Sequence, residues 1–214
     1  MERYSSCEDI ENYYSISHVL GSGGFGMVYA GHRRSDGLLV AIKIVPVSSV
    51  AEWGVLGGRI VPLELQLLLH CQSVEGVVTL LDFIKSGDTF FFIMEHTEGT
   101  VDLFDFISTR GALEEDIARD FFSQVVSTVV ECQERGVIHR DIKDENIILN
   151  LKSGRLSLID FGSGAFCQDE PFTEFDGNIL TNLCPYLSTY LSLQVPVCTH
   201  PQSGWSIRSI MERC

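Results

Sequence analysis

Apolar and polar residues alternate over several short stretches in the first hundred residues of the chain. A period of two is typical of β-strands with one buried face. The alternation predicts three strands between residues 14 and 45, followed by two more at 77–83 and 89–95. Asp36-Gly37 separates the second strand from the third and is a typical hairpin turn. Residues 96–99 then break the strand pattern and predict a linker.

A helical spacing of apolar residues appears between and after these strands. It predicts a helix over 61–69, with Pro62 in its first turn, and a short helix over 103–108. Residues 51–58 are glycine-rich and predict a loop. The longest predicted helix begins at Glu114 and ends before Gly136, with a stripe of apolar residues that we expect to face the core: Ile117, Phe121, Val125 and Val129. A short hairpin is predicted over 147–150 and 155–159.

Composition and charge narrow the class of protein. Of the 214 residues 45% are hydrophobic, which favours a globular chain, and the formal net charge of −14 argues against nucleic acid or an anionic membrane as the main partner. The charge is compatible with a cationic peptide substrate, although charge alone does not establish one. Seven scattered cysteines without a C-x-x-C pair favour a reducing compartment. Because the sequence has no apolar leader and no long apolar run, we expect a cytoplasmic, and also nuclear, location. We also expect a monomer.

Three glycines, at 21, 23 and 26, form a G-x-G-x-x-G pattern that also occurs in dinucleotide-binding units. In those units the pattern begins a helix, whereas here residues 28 and 29 continue as a strand. The context therefore predicts a hairpin that closes over phosphates. Lys43 follows within an apolar strand and needs a partner if it is buried, the alternative being a lysine on an edge strand. Glu64 is the candidate partner, the alternative being an exposed carboxylate at the helix N-terminus.

The stretch around residue 141 carries the candidate chemistry. His139-Arg140-Asp141 is followed by Lys143 and Asn146, and Asp160-Phe161-Gly162 comes after the predicted hairpin. Phosphoryl transfer needs a carboxylate to orient the attacking hydroxyl, a cation at the transferred phosphate and oxygen ligands for Mg²⁺. Asp141, Lys143, and Asn146 with Asp160 supply these groups in the order of a protein-kinase catalytic loop. The hairpin is expected to bring Asn146 and Asp160 together at one end.

These residues resemble the eukaryotic serine/threonine protein kinases, and within them the Pim family closely. The resemblance runs from about residue 14 to 177 and is carried by residues 20–26, 51–54, 61–64, 102–107, 110–113, 138–149 and 158–165. It implies an α+β, two-lobe fold, with a five-stranded antiparallel small lobe containing one helix and a mainly helical, incomplete large lobe. By the same resemblance Asp141 is the catalytic base, Lys43 holds the α- and β-phosphates of ATP, and Asn146 and Asp160 bind Mg²⁺.

The resemblance also implies a nucleotide-binding shell of fourteen residues: Leu20, Gly21, Ser22, Gly23, Gly24, Phe25, Gly26, Val28, Ala41, Lys43, Glu64, Glu95, Thr97 and Asp102. Thr97 stands where the Pim family has proline, so its N–H could restore a second hydrogen bond to adenine. Asp102 has two open interpretations, a ribose contact or the N-cap of the following helix. Pim kinases phosphorylate Ser or Thr in Arg/Lys-rich peptides without needing activation-loop phosphorylation. Glu145 and Asp102 match acidic positions that resemble their contacts to basic substrates.

The composition changes after residue 177. All but one of the 29 acidic residues precede residue 178, and the remaining stretch has no further long amphipathic pattern. We therefore expect an N-terminal segment at 1–13, a small lobe at 14–95, a partial large lobe at 96–177 and an unrelated, loosely ordered tail at 178–214. Two functions remain open: an ATP-dependent serine/threonine kinase, or a catalytically impaired remnant that binds nucleotide or a partner protein.

Overall fold

A computed structural model describes residues 10–23 and 26–168. Gly24, Phe25, the end of the predicted large lobe and the predicted tail lie outside the described residues. The strands are β1 Tyr14–Gly23, β2 Gly26–Arg33, β3 Leu39–Pro46, β4 Trp53–Leu56, β5 Arg59–Pro62, β6 Leu80–Ser86, β7 Thr89–Glu95, β8 Thr100–Asp102, β9 Val137–Ile138, β10 Ile147–Asn150, β11 Leu156–Leu158 and β12 Ala165–Phe166. The α-helices are α1 Leu63–His70, α2 Leu103–Arg110 and α3 Glu115–Glu134.

The five predicted strands are confirmed as one antiparallel sheet in the order β1-β2-β3-β7-β6. Its central strand, β3, alternates between two apolar faces. Val40 and Ile42 pack with Ile84 and Ile93 on one face, while Val45 belongs to the core on the other face. Because both faces are covered, β3 has few exposed positions, and a charge within it must find a partner inside the protein.

The structured part of the small lobe begins before residue 14, the start predicted from the sequence. A 3₁₀ turn, Ile10–Asn12, precedes β1, and Ile10 is buried beside Tyr14. Arg34 fixes this turn, because its backbone N–H donates to the carbonyl oxygen of Tyr13 and its Nε donates to that of Glu11. Residues 10–13 therefore pack as part of the small lobe.

The loop predicted over 51–58 is wrong for residues 53–56, which form strand β4. β4 and β5 form a hairpin whose turn uses positive φ angles at Gly57 and Gly58. The sequence pattern concealed this hairpin because Val55 and Ile60, which face each other across it, are 58% and 67% exposed. Pro62 closes the hairpin and is the N-cap residue of α1, so it precedes the helix instead of lying in its first turn.

Two further boundaries differ from the prediction. The strand predicted from residue 77 begins at Leu80, because Val77 instead forms a parallel bridge with Leu158. In α3, Phe121 and Val125 are buried as predicted, but Ile117 is 39% exposed. The first turn of α3 carries acidic residues and faces solvent, so its apolar stripe enters the core one turn later than expected.

Residues 73–78 join the small lobe to α3 and β11. The N–H of Leu158 donates to the carbonyl oxygen of Gly76, and Val78 donates back to Leu158. The hydroxyl oxygen of Thr128 on α3 lies 2.9 Å from the carbonyl oxygen of Gln124, to which it donates, and 3.4 Å from that of Glu75. Gly76 has a φ of +95°, and a Cβ atom there would lie 2.1 Å from the Thr128 hydroxyl oxygen. This junction therefore requires glycine for its backbone conformation and for its close packing.

The second half of the described chain positions the catalytic loop. β10 lies between β8 and β11 in a three-stranded sheet, and β9 pairs with β12. Residues 139–146 span the gap from β9 to β10, so both ends of the loop are fixed by strands. Within the part of the chain that the structure describes, no helix is long and apolar enough to cross a membrane.

Candidate active site

Lys43 lies at the centre of the candidate site. The residue is 5% exposed, and its Nζ lies 2.5 Å from Oε1 of Glu64 and 2.8 Å from Oδ1 of Asp160. Both alternative interpretations are wrong. Lys43 is on the central strand, not an edge strand, and Glu64 is buried in α1 instead of exposed. The predicted pairing of these two residues is confirmed.

The two carboxylates keep Lys43 charged. Burial disfavours the ammonium, but the charges of Glu64 and Asp160 outweigh that effect and raise the pKa of Lys43 above its usual value. Burial raises the pKa of the Glu64 carboxyl, and the Lys43 ammonium opposes that shift. For Asp160, burial is outweighed by Lys43, and the pKa is lowered. A charged ammonium and a charged Asp160 carboxylate therefore face each other in this site near neutral pH.

A second cluster surrounds Asp141 in the loop between β9 and β10. Asn146 donates through Nδ2 to Oδ2 and to the backbone carbonyl oxygen of Asp141, at 2.9 and 2.8 Å. Lys143 Nζ lies 3.0 Å from the same Oδ2, and this hydrogen bond raises the pKa of Lys143. Glu145 is 3.6 Å from Lys143 and 58% exposed. The carboxylate of Asp141 is thus oriented by two side chains of its own loop.

Asn146 and Asp160 come together as the sequence predicted. The N–H of Ile159, next to Asp160, donates to the carbonyl oxygen of Asn146 at 2.9 Å. Asn146 is 6% exposed, and its Nδ2 donates to Asp141, while its Oδ1 accepts no hydrogen bond from the described residues. Oδ2 of Asp160 likewise has no hydrogen-bond partner among the described residues, since Lys43 and Gly162 both bond to Oδ1. Two unused oxygens of this kind suit a hard divalent cation.

His139 supports the site from behind, a role that the sequence reasoning missed although His139 lies in the motif. Its Nε2 is 2.9 Å from the carbonyl oxygen of Ile159, and its Nδ1 accepts from the N–H of Asp141. Burial lowers the pKa of His139, so the ring is neutral and carries its proton on Nε2. The ring also packs edge-on against Phe161 at 4.6 Å between centroids. One buried imidazole thus links the backbone of the Asp141 loop to that of the Asp160 strand.

Two site residues adopt a strained backbone. Arg140 has a φ of 65° and Asp160 has a φ of 60°, and they are the only described residues other than glycine with a positive φ. Such conformations cost about 1–3 kcal/mol each and persist only where the surroundings hold them. Asp160 is itself a site residue, and Arg140 directly precedes Asp141. The backbone strain therefore lies at the candidate site.

The glycine-rich stretch forms the hairpin predicted from its context. β1 continues to Gly23 and β2 starts at Gly26, with Ser22 opposite Met27 and Gly21 opposite Val28. A dinucleotide-type helix is excluded, because the chain after Gly26 is a strand. A Cβ atom on Gly26 would lie 2.2 Å from the carbonyl oxygen of Ile44, so glycine lets β2 approach β3 closely.

The remaining predicted shell residues line the same region of the sheet or the linker. Val28 pairs with Lys43, and Ala41 pairs with Met94 near the start of the linker. Leu20 is 41% exposed on β1. Among the described residues, the backbone N–H of Thr97 has no hydrogen-bond acceptor, as an adenine contact requires.

Glu95 and Asp102 fix the two ends of the linker. The carboxylate of Glu95 accepts from the N–H of Thr79, and its own N–H donates to the carbonyl oxygen of Thr79. Asp102 accepts from the N–H of Asp105 at 2.7 Å and is therefore the N-cap of α2. The capping interpretation is confirmed, and the ribose contact stays a prediction.

Comparison with known proteins matches residues 14–180 to the family described as "Protein kinase domain". The chain belongs to the protein kinase family. Protein kinase domains in general use ATP and a divalent metal. The buried, unused Oδ1 of Asn146 beside Asp160 fits such a metal-nucleotide complex.

Several curated kinases are similar to this kinase chain. It is 42% identical over 183 residues to serine/threonine-protein kinase pim-2 of Danio rerio, covering 79% of this chain and 58% of the relative. It is 41% identical over 172 residues to serine/threonine-protein kinase prk-2 of Caenorhabditis elegans, covering 80% and 38%. CBL-interacting serine/threonine-protein kinase 16 of Arabidopsis thaliana is 38% identical over 158 residues, covering 73% and 33%. The chain thus spans less than two thirds of the length of these relatives.

Proposed function

We propose that this chain is an ATP-dependent protein kinase that transfers the γ-phosphate of Mg-ATP to serine or threonine. The observation that carries the proposal is the contact of Lys43 with both Glu64 and Asp160, beside the Asp141–Asn146 pair. The junction of β3, α1 and the catalytic loop thereby holds three kinds of group: a cation for phosphates, two unused oxygens for a metal and an oriented carboxylate. Phosphoryl transfer relies mainly on such positioning and charge stabilisation.

Each side chain has a defined part in the proposed reaction. Lys43 holds the α- and β-phosphates, while Asn146 and Asp160 hold Mg²⁺, which when bound neutralises charge on the phosphates. Asp141 orients the substrate hydroxyl and accepts its proton. The hydroxyl oxygen then forms a bond to the γ-phosphorus as the bond from that phosphorus to the β–γ bridging oxygen breaks, and ADP leaves. Lys143, at 3.0 Å from Asp141, supplies positive charge for the transferred phosphate.

The linker supports a proposal for the nucleotide base and sugar. The unbonded N–H of Thr97 would donate to adenine, and the carbonyl group of Glu95 would accept from it. Asp102 lies at the start of α2 with one carboxylate oxygen used for capping, which leaves the other for a ribose hydroxyl. The glycine hairpin of β1 and β2 would cover the phosphates from above.

We further propose basic Ser/Thr peptides as substrates, in the manner of the Pim family. Three observations support this finer assignment: the two relatives above 40% identity, the net charge of −14, and the exposure of Glu145 four residues after Asp141. An acidic side chain at this place would attract an Arg-rich peptide to the catalytic carboxylate.

The test is transfer of labelled phosphate from Mg-ATP to an Arg-rich serine peptide and to a version with alanine in place of arginine. Asp141→Asn should lower kcat by roughly 10²–10⁴-fold, since it removes the general base. Asp88→Asn, in an exposed turn between β6 and β7, is the matched control and should retain activity. Stabilisation by Mg-ATP is followed in parallel by thermal unfolding.

The outcomes separate the two functions left open by the sequence. Transfer by the unmodified chain that is lost in Asp141→Asn supports the kinase proposal, and faster transfer to the Arg-rich peptide supports the substrate class. Stabilisation by Mg-ATP without any transfer would overturn the kinase proposal in favour of a nucleotide-binding remnant. Equal activity of the unmodified chain and Asp141→Asn would contradict the assigned catalytic base.

A further inference from the structure

Glu52 contacts two distant parts of the candidate site. Its backbone carbonyl oxygen accepts from the N–H of Leu63, the first residue of α1, at 2.9 Å. Its carboxylate Oε1 lies 3.3 Å from a terminal guanidinium nitrogen of Arg140, 88 residues further along the chain. One residue before the β4–β5 hairpin therefore connects the N-terminus of α1 to the catalytic loop.

Arg140 in turn holds the segment that follows Asp160. Its Nε donates to the carbonyl oxygen of Ser163 at 2.5 Å, and a terminal nitrogen donates to that of Gly164. The Arg140 side chain is 14% exposed, and its backbone is in the left-handed region. A planar guanidinium with several fixed donors can orient these acceptors together. Arg140 thus fixes the backbone three and four residues after Asp160.

These contacts close a ring that includes the phosphate-holding cation. Starting from Lys43, the ring runs through Glu64 to its neighbour Leu63, then through Glu52, Arg140 and Ser163 back to Asp160, which contacts Lys43. α1 has only eight residues, and Pro62 provides no side-chain cap. The position of α1, and with it the reach of Glu64, therefore depends on the contacts at its N-terminus.

We propose that Glu52 is a positioning residue that holds α1 where Glu64 reaches Lys43, by tying the helix N-terminus to Arg140. This inference rests on the proposed kinase function. Glu52 is 54% exposed, so its ion pair contributes little to stability. Its effect is on geometry, because a misplacement of about 1 Å in a catalytic arrangement can cost on the order of 100-fold in rate.

The test variant is Glu52→Gln, which keeps the backbone carbonyl and the size of the side chain but removes the charge. Glu131→Gln is the matched control, because Glu131 forms a similar exposed pair with Arg135 on α3, away from the site. We expect Glu52→Gln to lower kcat about 5–30-fold with an unchanged melting temperature. Added salt should lower the kcat of the unmodified chain towards that of Glu52→Gln, which itself should respond little, since exposed ion pairs are screened.

A second measurement does not depend on phosphate transfer. The rate at which an amine-reactive reagent labels Lys43 is measured by peptide mass spectrometry, with the exposed Lys85 and Lys152 as internal standards. In Glu52→Gln, α1 moves transiently away from Lys43 more often, and in those moments Lys43 keeps only Asp160 as a partner. Its labelling should therefore rise at least about threefold relative to these standards. Glu131→Gln should leave the labelling unchanged.

The two measurements distinguish the failure of this inference from the failure of the proposed function. A rise in Lys43 labelling in a chain without transferase activity would support the positioning role and overturn the kinase function. An active chain in which Glu52→Gln changes neither kcat beyond twofold nor the labelling of Lys43 would overturn the positioning role alone.

Discussion

Replacing Lys43 by methionine should destabilise the protein as well as abolish transfer. The substitution leaves the buried Glu64 carboxylate without its ammonium partner. Removing one member of a buried ion pair typically costs about 3–5 kcal/mol, and Lys43 is buried enough that solvent screening does not reduce this figure. Since domains of this size shift by about 2–4 °C per kcal/mol, we expect the melting temperature to fall by roughly 6–20 °C.

A second substitution should separate this stability effect from catalysis. Replacing a buried ion pair by apolar residues of similar volume is often neutral or stabilising. The double variant Lys43→Met/Glu64→Leu is therefore expected to recover most of the lost stability and none of the phosphotransferase activity. Inactivity of the single variant could result from unfolding alone, but inactivity of a stable double variant assigns Lys43 or Glu64 to the chemistry.

The loss of stability in Lys43→Met should also depend on pH. In Lys43→Met the folded-state pKa of Glu64, already raised by burial, rises further above the unfolded value of 4.5 because the opposing ammonium is gone. A raised folded-state pKa contributes stability that is fully present below the unfolded pKa and is lost as pH rises through the folded pKa. The difference in unfolding free energy between the unmodified chain and Lys43→Met should therefore narrow from pH 7 towards pH 4.5.

The assay is urea denaturation of the unmodified chain, both variants and Lys152→Met, which replaces an exposed lysine after β10. A loss below about 1 kcal/mol in Lys43→Met at pH 7 would refute the reasoning, because the cost of an unpaired buried carboxylate would then be absent. The reasoning would also be refuted if Lys43→Met/Glu64→Leu were no more stable than Lys43→Met.

Two further pairs of substitutions test the fold around the site. Gly76→Ala should lower the free energy of unfolding by about 2–4 kcal/mol, because of the positive φ and the contact with Thr128. Gly58→Ala has a positive φ but open space around it, so it should cost only about 1–2 kcal/mol. Equal losses in urea denaturation would argue against the packing explanation. Asp102→Ala should cost about 1 kcal/mol through loss of the α2 cap while Asp102→Asn retains it, and equal destabilisation of both variants would contradict the capping role.

The sequence predicted the central pairs because their residues break an otherwise regular pattern. Lys43 and Glu64 are isolated charges in apolar elements, so burial forced a pairing that the structure confirms. The spacing from Asp141 to Asn146 and Asp160 follows from a short loop and a hairpin, which local patterns can predict. Metal and nucleotide binding by these residues stay predictions.

Other features had no local signal. The β4–β5 hairpin exposes its apolar side chains at Val55 and Ile60, so it lacks the one-sided alternation of a buried strand. The contact of Glu52 with Arg140 joins residues 88 positions apart, and it depends on the placement of α1 relative to the loop. Asp102 illustrates a third case, in which two chemistries suit the same residue; the bond from Asp105 shows the capping role, and the ribose contact stays a prediction.

The central position of β3 limits where this protein can change in length. Lys43 lies opposite Val28 on one side and Phe92 on the other, and successive side chains of a strand point to opposite faces. Inserting or deleting one residue between Leu39 and Lys43 would turn the ammonium into the cluster around Ile84 and Ile93, away from Glu64. Insertions and deletions in the small lobe should therefore be confined to turns such as Asp36-Gly37, while β3 keeps its residue count even where its apolar side chains vary.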